Sequence, residues 1–249
     1  MSTQAKFRDI LNIYSFSCKL PGTGEEIEFK PLTTGQLKKL LTYEKERNPI
    51  IQEQAIDQII RQSVVTEGFD TNSLYLEDRF FLLIQIRKKS KGETLEFTHN
   101  CEKCGSQTLM RVNLDDLPTI ERKEDVDQIV ELGDGVKVKL RHITRRDYIG
   151  LDPRKLKGLT DLQASAEMQL YIHAIGIEYI ETKQYGIETD ITVDDKKYLL
   201  ENVPTSGYEK IKQWYEDNFF GVDFNYTVSC ISCTDEIKIE IPVEGAFFL

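Results

Sequence analysis

Four of the five cysteines in this 249-residue chain come as two pairs, each with a two-residue spacer. Cys101 and Cys104 lie in "THNCEKCGSQ", residues 98–107, and Cys230 and Cys233 lie in "YTVSCISCTD", residues 226–235. That spacing lets both sulfurs of a turn point at one ion while backbone amides of the turn donate to them. Two such turns supply four thiolates, a set that suits tetrahedral Zn²⁺ with no open position. The ion expected is therefore structural, because a catalytic zinc keeps a water and usually has a His or a carboxylate among its ligands. His99, two positions before the first pair, is the alternative donor. In a reducing compartment, two pairs plus a bystander, Cys18, read as metal ligands rather than disulfides. Redox chemistry is disfavoured because neither pair opens a helix, where the dipole would depress a thiol pKa.

The elements that must position these thiols are strands. Each cysteine pair sits between two segments with apolar residues at every second position, the pattern of strand, tight knuckle, strand. When Cys230 is laid over Cys101, Tyr226 meets Phe97, Thr227 meets Thr98, Phe224 meets Leu95, Ile241 meets Val112 and Val243 meets Leu114. A second correspondence appears when Gly135 is laid over Gly24. Leu140 then meets Phe29, Arg141 meets Lys30, Ile143 meets Leu32, Thr144 meets Thr33 and Asp147 meets Gln36. Each copy has a glycine turn, an alternating strand, and a Thr-x-x-Gln or Thr-x-x-Asp box that opens a helix. The two alignments differ in register, so the second half carries extra residues between its capping box and its knuckle. The expected organisation is a lead-in (1–19), a first pseudo-repeat (20–117), a linker (118–129) and a second pseudo-repeat (130–249).

Helical periodicity predicts helices over about 50–65, 73–89 and 160–180, a short one capped by Thr192, and one carrying Tyr208, Ile211, Tyr215 and Phe219 on a stripe that Gly221 ends. Six strands in hairpins and six helices give an α+β class, two pseudo-repeated halves joined by a four-cysteine site resembling a zinc ribbon. Tyr14, Phe16, Cys18 and Leu20 alternate and are expected to share a core face.

Composition is that of an ordinary globular chain, 40% hydrophobic and 30% charged. The net charge of −10 argues against a nucleic-acid binder, which usually presents a basic face. Two short basic runs, residues 87–91 and 141–146, are flanked by acids and read as solvated surface. The longest apolar run, residues 80–86, is too short to span a bilayer, and "MSTQAKFRDILN" has no apolar leader segment, so no membrane association and a cytoplasmic location are expected.

Nothing else in the chain assembles into chemistry. "PGTG" and "GDG" precede strands, not helices, so they read as turns rather than phosphate loops. His142 and His173 have no nucleophile motif nearby. The acid pairs Asp115-Asp116, Asp194-Asp195 and Glu216-Asp217 are adjacent in sequence, as caps and solvated charges are. No enzyme, small-molecule substrate or catalytic residue is expected. The apolar end, Phe247, Phe248 and Leu249, either packs on the core or serves as a docking peptide for a partner.

With these motifs placed, "KLPGTGEEIEFKPLTTGQLKKLL" and "IRKKSKGETLEFTHNCEKCG" resemble the baseplate hub assembly family of T-even-type contractile-tailed bacteriophages. The matching residues are Leu20, Pro21, Gly24, Phe29, Lys30, Pro31, Arg87, Ser90, Gly92, Cys101 and Cys104. The resemblance implies a late viral protein of the host cytoplasm that helps build the central hub of the tail baseplate, with other hub or tape-measure proteins as clients. It implies no covalent chemistry. A permanent structural subunit of the hub and a zinc-ribbon nucleic-acid binder are the competing functions.

Overall fold

The alternating stretches fold as antiparallel hairpins in the computed structural model of the protein, which describes residues 14–40, 49–149, 153–230 and 232–240. β1 (Phe16–Lys19) pairs with β2 (Glu26–Phe29), and β3 (Thr94–Asn100) pairs with β4 (Gln107–Asn113). β6 (Ile129–Gly133), β7 (Val136–Leu140), β8 (Ile177–Thr182) and β9 (Gly186–Glu188) form one four-stranded sheet in chain order. β11 (Asn225–Ser229) pairs with β12 (Glu236–Glu240). The two-residue strands β5 (Thr119–Ile120) and β10 (Gly221–Val222) pair across about a hundred residues of sequence. The turn between β6 and β7 places Asp134 and Gly135 at φ 52° and 78°, the two positive dihedrals that a type I′ hairpin turn needs.

The helices are α1 (Thr34–Leu40), α2 (Pro49–Ser63), α3 (Leu76–Lys91), α4 (Asp161–Gly176), α5 (Val193–Asn202) and α6 (Thr205–Asp217). Their starts are written in side chains. Thr33 and Gln36 form a reciprocal capping pair before α1, as do Thr160 with Gln163 before α4 and Thr192 with Asp195 before α5. Among the described residues no helix is long and apolar enough to cross a membrane.

Buried apolar side chains gather in two main clusters. One takes Leu20, Ile27, Phe29, Leu82, Leu83, Ile86, Leu95 and Val112, together with Val222 from late in the chain. The other takes Val130, Val138, Leu140, Ala174, Ile177, Ile211 and Trp214. One connection recurs in both. The Lys30 amide donates to the Ser63 carbonyl at the end of α2, and Phe29 bridges Val64 just beyond. The Arg141 amide likewise donates to the Gly176 carbonyl at the end of α4, and Leu140 pairs with Ile177 just beyond. In each half a strand, a Thr-x-x-Gln/Asp box and a helix thus return the chain to the same strand.

The halves meet along α3. Tyr75 bridges Thr144, and the Arg145 amide donates to the Leu74 carbonyl. Beneath this, Arg79 lies 2.7 Å from Glu53 and 3.3 Å from Asp57, and Arg145 lies 2.8 Å from the same Asp57 oxygen. Arg79 is 1% exposed and both Asp57 and Arg145 are buried. Beside them, the Gly22 amide donates to buried Asp78 at 2.7 Å. A Cβ on Gly22 would stand 2.5 Å from the Asp78 carboxylate, so only glycine fits against it.

Several expectations are corrected. The described residues contain twelve strands rather than six. The helix expected over 160–180 ends at Gly176 and passes directly into β8, where Tyr179, Ile180 and Thr182 favour a pleated neighbour over a helical turn. The Thr144–Asp147 box opens a single 3₁₀ turn, not a longer helix, and Arg141 clamps Asp147 with two hydrogen bonds of 2.9 and 2.7 Å. Tyr14 is exposed and does not share the face of Phe16, Cys18 and Leu20. The two basic runs are not wholly solvated, because each buries an arginine. Arg145 belongs to the joint just described. Arg87 binds the Gly92 and Thr94 carbonyls and so locks the end of α3 to the start of β3. Ser90 accepts the Leu32 amide at 2.8 Å. Arg87, Ser90 and Gly92, three of the residues that carry the family resemblance, are accordingly structural fasteners. Phe247, Phe248 and Leu249 lie outside the described residues.

Candidate metal centre

The knuckle pairs close two separate hairpins, β3–β4 and β11–β12, with the same local geometry. In the first, the Cys101 amide donates to the Ser106 carbonyl and the Gly105 amide donates to the Cys101 carbonyl. In the second, the Cys230 amide donates to the Asp235 carbonyl and the Thr234 amide donates to the Cys230 carbonyl. The residue after the second cysteine is left-handed in both, with φ 70° at Gly105 and 58° at Thr234. Glycine adopts that conformation freely, whereas a β-branched threonine is strained there.

The two hairpins bring all four sulfurs together. Cys101 Sγ lies 3.8 Å from Cys233 Sγ, and Cys104 Sγ lies 3.7 Å from Cys230 Sγ. The four atoms are within 4.8 Å of one another. Sulfurs placed at a zinc–thiolate distance of roughly 2.3 Å around a tetrahedral centre stand roughly 3.8 Å apart, so the spacing fits such an ion. It is far beyond the roughly 2.05 Å of a disulfide, and all five cysteines are free. Cys101 and Cys230 are buried, Cys233 is half-buried and Cys104 is exposed. The cluster could hold a metal ion, and all of the sequence-predicted ligands are in it. His99 sits on β3 outside the group.

The Ser106 hydroxyl favours the anionic form of two of the four thiols. The Ser106 hydroxyl stands 3.1 Å from Cys104 Sγ and 3.4 Å from Cys230 Sγ, spanning the two knuckles. It is the leading cause of the downward shift at Cys104, and with the Cys233 and Ser232 amides it lowers Cys230 to about 6. At Cys233 the Asp235 amide pulls downward, but burial and the neighbouring thiols hold the group up at about 12. Lys103 and Asp235 form a 2.6 Å ion pair from knuckle to knuckle over the site, and the Asp235 bond holds the lysine above its ordinary pKa.

The cysteine spacing finds the ligands but not this surrounding shell. Gly105, directly after Cys104, marks its left-handed position in sequence; Thr234 gives no such sign. A serine two residues past a knuckle looks like any loop serine until the second hairpin is in place.

Cys18 takes no part. It packs against the first core cluster, where burial pushes its thiol up to about 12. His142 and His173 both pack against aromatic rings. His173 is buried, its Nδ1 2.9 Å from the Tyr208 hydroxyl, with its ring stacked on Tyr215, and burial lowers it to about 4. His142 sits among the rings of Tyr75, Trp214, Tyr215 and Phe220, 3.3 Å from Glu77.

One protein-family model, described as T4 bacteriophage base plate protein, matches residues 12–249. No curated protein and no solved structure matches the chain.

Proposed function

The chain belongs to the T4 bacteriophage base plate protein family, and from that premise we propose that it is a non-enzymatic assembly factor for the central hub of the tail baseplate, acting in the cytoplasm of the infected host. Its clients are other hub or tape-measure proteins. The observation that carries this is the gathering of Cys101, Cys104, Cys230 and Cys233, which fastens an early hairpin to a late one and gives the chain a fixed surface to present. The ion in the cluster is Zn²⁺. Four thiolates with no histidine, carboxylate or open position hold it as a structural centre, and it supplies rigidity rather than Lewis-acid chemistry. The chain is built as a duplication of one unit, strand–box–helix–return, with each copy ending in a knuckle.

An assembly factor leaves its product, whereas a structural subunit stays. Mass spectrometry should find the protein bound to hub components in infected-cell extracts and find none in finished particles. Its presence in finished particles at a fixed ratio to other baseplate proteins would overturn the assembly-factor reading in favour of a permanent subunit.

A further inference from the structure

Sequence spacing couples Cys101 with Cys104 and Cys230 with Cys233, but the fold sets each cysteine against one from the other hairpin. Cys104 Sγ faces Cys230 Sγ at 3.7 Å, and Cys101 Sγ faces Cys233 Sγ at 3.8 Å. The Ser106 hydroxyl touches both members of the first pair, 3.1 Å from Cys104 and 3.4 Å from Cys230. Cys104 is exposed, so solvent reaches the cluster there, while Cys230 behind it is buried. An accessible thiolate with a second thiol beside it is the arrangement that peroxides oxidise to a disulfide.

We infer that the cluster is also an oxidation site, at which a peroxide replaces the metal link between the hairpins with a Cys104–Cys230 disulfide. The exchange rests on Zn²⁺ being the ion in the cluster, since cysteines that ligate zinc are thiolates already. The Cys104 thiolate attacks one oxygen of hydrogen peroxide. An S–O bond forms, the O–O bond breaks, the sulfur gives up two electrons and hydroxide leaves. The Cys230 thiolate then attacks that sulfur. The S–S bond forms, the S–O bond breaks and a second hydroxide leaves. Two thiolates and one peroxide thus yield one disulfide and two hydroxides. Cys101 and Cys233 alone are too few to keep a closed zinc site.

The choice of partner decides what oxidation does to the molecule. A disulfide within either knuckle would free the hairpins from each other. A Cys104–Cys230 disulfide joins residues 126 apart in sequence, so β3–β4 and β11–β12 stay fastened without a metal.

The test starts from the purified full chain with its zinc content measured. The chain is treated with hydrogen peroxide, its free thiols are blocked, and it is digested with trypsin without reduction. Cleavage after Lys103 puts Cys101 and Cys104 in different peptides, so mass spectrometry separates the pairings, and fragmentation between Cys230 and Cys233 completes the assignment. The expected product is the peptide that begins at Cys104 joined to Cys230, appearing in step with loss of zinc. The oxidised chain should also melt at a higher temperature than the reduced, chelated chain. A Cys101–Cys104 or Cys230–Cys233 disulfide, over-oxidation of Cys104 with no disulfide, zinc retained with every thiol reduced, or an oxidised chain no more stable than the chelated one would overturn the exchange alone. Zinc absent from the untreated chain would overturn the metal centre and the exchange with it.

Discussion

At one joint between the halves four thiols meet near the surface; at the other, Arg79 and Arg145 share the Asp57 carboxylate out of water. Both joints tie residues far apart in sequence, but their strengths answer to different variables. On the proposed zinc reading, the thiol cluster holds only with a cation present and its ligands deprotonated. The arginine joint contains no ion to remove. Chelators should therefore loosen one joint and leave the other closed, and each joint can be broken separately.

The largest effect should come from removing the metal. Purified protein should carry about one zinc per chain, and a chelator should lower its Tm by roughly 10 °C or more. Cys101→Ser and Cys230→Ser should each cause a similar fall and make the chelator ineffective. Unequal losses, or a Tm indifferent to chelation, would mean that the two knuckles do not share an ion.

Next comes the buried joint. Asp57→Ala strands two arginines and should destabilise the fold by about 3–5 kcal/mol in denaturant unfolding, with the chelator response unchanged. If the joints act independently, combining it with Cys230→Ser should give the sum of the single effects.

The pH response sharpens the contrast. Burial and the Glu77 charge hold the Asp78 carboxyl up at about 6, above an ordinary 3.8, against the Gly22 amide and Arg122. Between those values the folded chain keeps a proton that the unfolded chain has lost. This group's contribution is thus complete below about 4 and lost as pH rises through 6, on the order of 3 kcal/mol. His173, held at about 4 by burial, acts in the opposite sense, losing stability as pH falls from 6.5. Asp78→Asn should therefore be more stable relative to wild type at pH 7 than at pH 4. A constant difference across that range would refute the assignment.

Within the cluster, the left-handed position after the second cysteine is glycine in one knuckle and threonine in the other. Gly105→Thr should cost about 1–2 kcal/mol and Thr234→Gly should gain about 1 kcal/mol by relieving the left-handed strain. The smallest effect belongs to Lys103→Ala. Its pair with Asp235 is exposed on both sides, so no measurable change in Tm is expected.

What could be read from the sequence was local and periodic. The cysteine spacing, the alternation around it, the Asp134-Gly135 turn and the Thr-x-x-Gln boxes each state their geometry within a few residues. What could not be read depends on distant partners. β5 and β10 are two residues each, too short for any pattern, and exist because they meet. β8 follows α4 directly at Gly176, a glycine set within the apolar stretch 172–180, so one run hides two elements. Arg79, Arg87 and Arg145 look like surface charges until Asp57 and the Gly92 and Thr94 carbonyls close around them.

The placement of the four thiols also gives the cluster a temporal meaning. Chains emerge from the ribosome amino terminus first, so Cys101 and Cys104 wait as a two-ligand half-site while more than a hundred residues are still being synthesised. A polypeptide broken off before Cys230 never gains the other two ligands. The four-thiol site therefore forms only in chains synthesised past Cys233.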